Sequence, residues 1–401
     1  MKYIVVLGDG MSDEPLSELD HKTPLMVAKK PMMDYLAGRS EIGLVNTIPE
    51  GMSPGSDTAN LSVLGYDPKI YYSGRSPLEA LSLGVDMKET DIAMRCNLVT
   101  LTDDDKPYEE KLIIDHSSGE ISTEDAAVLM DVIAKEMNNH MYKFYVGTSY
   151  RHLTIWDNGE VLDLDQPHDI LGKTIGQYLP KDKNLRDMMI KSYDILNNHP
   201  INEKRKAKGL NKANSLWFWG AGVRPALDSF EGKFGKKGAM ISAVDLLKGI
   251  AVGGEMKVAY VPGANGTLNT NYEGKADEAV KLLKDDGYDF VYVHIEAPDE
   301  MGHQGSIENK IKAIELLDEK VVKRIVQQMD KLDEDYRVLI MPDHPTPIAL
   351  RTHTADPVPY ILYDSRVDLA KDWTYDEEQA ASSGNLVKDG HTIINKLFEE
   401  G

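Results

Sequence analysis

The stretch Tyr3-Ile4-Val5-Val6-Leu7-Gly8-Asp9 decides how the chain is read. Five apolar residues run without a break, stop at a glycine, and are followed by an acid. A short unbroken run of this kind marks a strand buried on both faces, as in the middle of a parallel sheet. Outward from it, strands and helices alternate. Thr23 and Pro24 suit the cap and first position of a helix over 24–36. Residues 42–48 read as a second strand, and the Gly/Pro-rich loop 49–55 leads into a helix that starts at Ser56-Asp57-Thr58. In the second half, strands are expected at 215–219, 258–261, 290–295, 338–341 and 358–362. Helices are expected at 242–248, 274–284, 307–329 and 391–398. Repeated β-then-α units imply a parallel sheet with helices on both faces. The middle breaks that rhythm. It offers strands at 92–101, 142–146 and 153–156, a helix ending near 137, and a polar, Lys-rich stretch, 180–214, that reads as a connector or exposed edge. The expected architecture is α/β: a doubly wound, mostly parallel sheet from residues 1–75 plus 216–401, interrupted by an inserted α+β domain over 76–215.

Composition narrows the function. The 401 residues carry 66 acidic and 45 basic side chains, a formal charge of −21. That balance argues against nucleic acid, whose phosphates need clustered cations, and against docking on anionic lipid. It leaves room for a small anionic substrate held by a few local cations or metals. One cysteine, Cys96, excludes an internal disulfide and any multi-cysteine metal site, which fits a reducing, cytoplasmic setting. The opening apolar run is too short for a signal peptide, and no stretch approaches the length needed to span a membrane. Oligomeric state is not written in the sequence.

In open parallel sheets, sites form beyond the carboxyl ends of the strands. Asp9 follows the first strand. Asp299 and His303 follow strand 290–295, four residues apart and so on one face of a helix. Asp343 and His344 follow strand 338–341, and His353 lies just beyond. Taken singly, each has a bland explanation as a turn, a cap or a buried histidine. Acids and imidazoles delivered by three strand ends to one edge are harder to explain that way. Three carboxylates and three imidazoles suit two divalent ions, with Mn²⁺ the first expectation and Zn²⁺ or Mg²⁺ the alternatives. Two such ions suit phosphoryl transfer.

The nucleophile is expected at Ser56. Gly51-Met52-Ser53-Pro54-Gly55 has the letters of a hydrolase nucleophile elbow, but Ser53 precedes a proline and is restricted to extended backbone. Ser56 stands at a helix start, where N–H groups and the dipole favour an anion; its plain alternative is an N-cap. Neither the phosphate-binding loop motif nor the dinucleotide fingerprint occurs.

Leu7-Gly8-Asp9-Gly10-Met11, the run Pro54-Gly55-Ser56-Asp57-Thr58-Ala59-Asn60 through Tyr66-Asp67-Pro68, Asp343-His344, and His353-Thr354-Ala355-Asp356-Pro357 together resemble a known family. It is the archaeal-type cofactor-independent (2,3-bisphosphoglycerate-independent) phosphoglycerate mutases of the alkaline phosphatase superfamily, and the resemblance runs from end to end. It implies a metal-binding phosphatase-like domain with an inserted substrate-binding domain. It implies that Ser56 becomes phosphorylated while 3-phosphoglycerate and 2-phosphoglycerate interconvert. One metal would be held by Asp299, His303 and His353, the other by Asp9, Asp343, His344 and the Ser56 oxygen. In the insert, Asp115-His116-Ser117 and Tyr150-Arg151-His152 resemble segments that supply substrate-binding residues, His116 and Arg151. Gly74-Arg75-Ser76-Pro77 and Arg95-Cys96-Asn97 look closest to a bacterial branch proposed to act as homoserine kinases, which makes an ATP-dependent kinase the first alternative. A non-catalytic metal-binding sensor is the second.

Overall fold

The computed structural model describes residues 1–399. They divide into two compact units, Met1–Tyr72 with the chain from Ala226 onward, and Ser73–Pro225. The strands, in chain order, are β1 (Lys2–Gly8), β2 (Glu41–Val45), β3 (Ile92–Leu101), β4 (Ile113–Asp115), β5 (Tyr142–Thr148), β6 (Arg151–Trp156), β7 (Ser215–Val223), β8 (Gly238–Ile241), β9 (Lys257–Ala259), β10 (Phe290–Ile295), β11 (Tyr336–Met341), β12 (Val358–Asp364) and β13 (Leu386–Val387).

In the first unit, eight strands form one sheet in the order β13-β2-β12-β11-β1-β10-β8-β9. Every pairing is parallel except the two made by β12. β1 lies in the middle, with Tyr3 through Leu7 at 1 % exposure or less, as its unbroken apolar run requires. Ile4 and Val6 pack with Val291, Val293 and Ile340 of the neighbouring strands. They share that core with Ala276, Ala279, Ala313 and Ile314 from the helices Tyr272–Lys284 and Ile307–Leu317. The register sets the site. Gly8 pairs with Ile295 and Leu7 with Met341, so the chain leaves β1, β10 and β11 side by side at one edge.

Several elements differ from expectation. The helix expected over 24–36 is two pieces, Pro24–Val27 and Pro31–Ala37. Pro31 keeps Lys30 out of the helical region and starts the second piece. No side chain of its own caps that helix; the buried Asp318 carboxyl accepts from Met32 N and Met33 N instead. The helix expected over 307–329 is interrupted by a π turn, Asp318–Val322, between Ile307–Leu317 and Lys323–Met329. β8 has too few β-formers to announce itself and is fixed as a strand by its parallel pairing with β10.

The second unit carries an antiparallel sheet, β4-β3-β6-β5, with β7 also on β3. That pairing places residues 216–225, expected in the first unit, with the insert. Helix Thr123–Met137 buries Ala126, Leu129, Met130 and Ile133. The stretch 180–214 is no mere connector. It holds the helices Lys183–Leu196 and Pro200–Ala207, and the first buries Leu185, Met189, Ser192 and Leu196. That is a helical stripe diluted by Lys and Asp on the other face. Among the described residues no helix is long and apolar enough to cross a membrane.

Candidate metal centre and nucleophile

All seven expected donors of the first unit meet at the carboxyl edge of its sheet. Asp9 follows β1. The helix Ala297–Gln304, after β10, carries Asp299 and His303 one turn apart. Asp343 and His344 follow β11, and His353 comes from the loop before β12. The donor atoms of Asp9, Asp343 and His344 lie within 4.8 Å of one another, and so do those of Asp299, His344 and His353. His303 joins the second set, with Nε2 3.2 Å from Asp299 Oδ2 and 2.9 Å from His353 Nε2.

Ser56 is not the N-cap; Gly55 is, and Ser56 is the first residue of the helix Ser56–Val63. Its Oγ is 3.1 Å from His344 Nε2. The hydroxyl therefore faces the donor cluster rather than its own backbone. Asn60, one turn on, donates from Nδ2 to Ser56 O and to Asp343 Oδ2, both at 2.8 Å. Its Oδ1 accepts from the Tyr292 hydroxyl.

The loops are closely fitted. Gly10 has φ +61°, and a Cβ there would lie 2.7 Å from Asp299 Oδ1 and 2.5 Å from Thr346 Oγ1, so only glycine fits. Thr346 donates its hydroxyl to Asp299 Oδ1. Beneath them Lys310 Nζ donates to Asp13 Oδ2 at 2.7 Å, Thr346 O at 2.9 Å and Ser12 O at 3.1 Å. Both charged side chains of that pair are 0 % exposed. Removing either would leave a buried unpaired charge, a loss of about 3–5 kcal/mol.

The electrostatics call for a cation. Burial, then Asp343, Asp299 and Glu296, push the Asp9 carboxyl well above the usual range. Burial works the same way on Asp299, but His303 and His353 beside it hold that carboxyl well below the ordinary value. Burial pushes His344 down and takes His294 down to about 3. Asp9 Oδ1 is buried without a hydrogen-bond partner among the described residues. Buried acids, the His344 imidazole held neutral by burial and a bare carboxylate oxygen converging on shared points fit divalent metal ions, which take such donors.

In the second unit His116 and Arg151 are brought together around Tyr150. The His116 ring meets the Tyr150 ring edge-on at 5.7 Å, and the Arg151 guanidinium lies 5.5 Å from the same ring. His168 completes the group, 6.0 Å from His116 and 5.6 Å from Trp219. Arg95, over the Trp219 ring, is committed to Glu79. His294, Asn60, Thr346, Lys310 and His168 are absent from the sequence-based expectations. A histidine inside an apolar strand run is the one signal that points to any of them.

The profile of the family described as 2,3-bisphosphoglycerate-independent phosphoglycerate mutase matches residues 37–202. A 2,3-bisphosphoglycerate-independent phosphoglycerate mutase of Methanosarcina barkeri is 48 % identical over 392 residues, covering 96 % of each chain. The solved structure of a Pyrococcus horikoshii protein aligns with a TM-score of 0.82 at 32 % identity, covering 99 % of this chain and 96 % of that one. The cofactor-independent phosphoglycerate mutase of Thermoplasma acidophilum aligns with a TM-score of 0.66 at 28 % identity, covering 99 % of both. With that identity spread over nearly the whole chain, the protein belongs to the 2,3-bisphosphoglycerate-independent phosphoglycerate mutase family.

Proposed function

We propose that the protein interconverts 3-phosphoglycerate and 2-phosphoglycerate through a phosphorylated Ser56, with two divalent ions, Mn²⁺ first among them. The observation that carries this is the Ser56 hydroxyl, aimed from a helix start into a ring of acids and imidazoles 3.1 Å from His344 Nε2. In this reading Asp9, Asp343, His344 and Ser56 Oγ would hold one ion, and Asp299, His303 and His353 would hold the other. When bound, the ions neutralise the phosphoryl oxygens and lower the pKa of the serine hydroxyl. Ser56 Oγ gives up its proton and attacks phosphorus, and the bond to the glycerate O3 breaks, O3 taking up a proton as it leaves. The glycerate turns within the site, its O2 hydroxyl gives up its proton and attacks the phosphoserine, and the Oγ–P bond breaks with Oγ protonated again, so no net proton is consumed. The phosphoryl group is returned to the molecule that gave it, so no nucleotide is consumed. Asn60 holds Ser56 and Asp343 in one frame throughout. His116 and Arg151 of the insert bind the anionic groups of the substrate.

The test offers Mn²⁺-loaded protein 3-phosphoglycerate without nucleotide, and separately ATP with homoserine. The expected result is 2-phosphoglycerate in the first arm, abolished by Ser56→Ala, and no product in the second. Phosphohomoserine without phosphoglycerate turnover would replace the mutase by a kinase. Elemental analysis of protein purified without chelator should find about two ions per chain.

A further inference from the structure

β10 runs Phe290-Val291-Tyr292-Val293-His294-Ile295, fully buried between β1 and β8. An imidazole in the middle of a parallel sheet is out of place unless its polar atoms are used. Here both are. His294 Nε2 lies 2.9 Å from Asp9 Oδ2, and Nδ1 lies 3.2 Å from Ser242 Oγ. Ser242 Oγ already accepts from Val244 N at 3.0 Å, so its hydroxyl hydrogen is free to point at Nδ1. Nδ1 then accepts, the ring proton sits on Nε2, and Nε2–H donates to Asp9 Oδ2. Lys275 Nζ, itself buried, donates to His294 O at 3.1 Å and steadies the strand end. The other oxygen, Asp9 Oδ1, has no hydrogen-bond partner among the described residues and lies 3.6 Å from His344 Nε2.

We propose that His294, oriented by Ser242, is a positioning residue that occupies Asp9 Oδ2 and thereby keeps Asp9 a one-oxygen ligand, with Oδ1 turned to the ion. The role rests on the two-ion reading above. Without His294 the carboxylate is free to rotate or to offer both oxygens, and the ion beside Asp343 and His344 is held less well. Outer partners of metal ligands act in this way, and their loss typically weakens metal binding ~10–100-fold.

The experiment is a Mn²⁺ titration by calorimetry of chelator-treated wild type, His294→Leu, His294→Gln and Ser242→Ala, each checked by thermal melting. Wild type is expected to bind two ions. His294→Leu should weaken one of them ~10–100-fold and leave the other unchanged. His294→Gln, which keeps an N–H at a similar reach, should recover most of the loss, and Ser242→Ala should weaken the same ion several-fold. A folded His294→Leu that binds both ions as wild type does would overturn the role, as would an equal loss of both. Should His294→Leu not fold, Ser242→Ala decides, and wild-type affinity there overturns the role. A wild type that binds no divalent ion would instead remove the metal reading itself.

Discussion

The two donor sets share His344 but are built differently. Asp9, Asp343 and His344 have side chains at 3 % exposure or less. They stand directly on strand ends, and β10 grips them from below through His294 and, by way of Tyr292 and Asn60, through Asp343. His303 and His353 are 36 % and 20 % exposed, on a short helix and a loop, and they touch each other, Asp299, Arg351 O and, through the His353 ring at 3.9 Å, His344. The inner set is rigid before any ligand arrives, because the sheet holds it. The outer set leans on its neighbours, so its ordering is part of what binding must supply. Preorganised donors bind tightly and release slowly; donors ordered on binding give up part of that affinity.

The contrast can be broken in stages. The largest effect belongs to Asp343→Ala. It should abolish turnover and binding of the inner ion while the outer ion is still taken up, as a Mn²⁺ titration will read. Retention of the inner ion would end the idea that this set is the anchor. Next, Asp299→Ala and His303→Ala should each abolish turnover but leave a cooperative thermal transition and the inner ion. Loss of cooperativity in both would make that helix a structural element instead. Staged chelation should then remove the two ions in separate phases, the outer first. A single phase would mean the two sets are one unit. Thr346→Val removes the hydroxyl that Asp299 accepts from and that lies 3.3 Å from His344 Nδ1; it should weaken the outer ion most, ~10-fold, in the same titration. The smallest change is Tyr292→Phe. It frees Asn60 of one buried partner and should cost about 1 kcal/mol of unfolding free energy, measured in denaturant, with both ions still bound.

Much of this is legible in the chain. The donors stand out because a parallel sheet brings the residues just past its strands to one edge, and Asp9, Asp299 and Asp343 each come within four residues of a strand end. The supports do not stand out. His294 and Tyr292 sit inside a strand, where pattern reports burial but not purpose, and Asn60 sits inside a helix. Their roles depend on residues more than 230 positions away in the chain, through bonds no local window contains. The helix Lys183–Leu196 escapes a sequence reading for a different reason. Its buried residues are spaced correctly, but Lys and Asp between them lower the mean hydropathy of the stretch.

The π turn at Asp318–Val322 sets a phase. The buried positions of the helical run are Lys310, Ala313, Ile314, Leu317, Asp318, Val321, Val322, Ile325, Val326 and Met329, so 310, 314, 318, 322 and 326 repeat every fourth residue. At 3.6 residues per turn such a stripe drifts by about 40° at each repeat. One wide turn takes up part of that drift. Deleting a single residue within 318–322 would let the wide turn close to an ordinary one with little change of phase, whereas a deletion between 310 and 317 would swing everything after it by about 100°. Ile325, Val326 and Met329 would leave the sheet, and Asp318 would lose its line to Met32 and Met33. An insertion elsewhere along the same run would do comparable harm. The length of the helix before the wide turn is therefore more constrained than the identity of any residue on its exposed face.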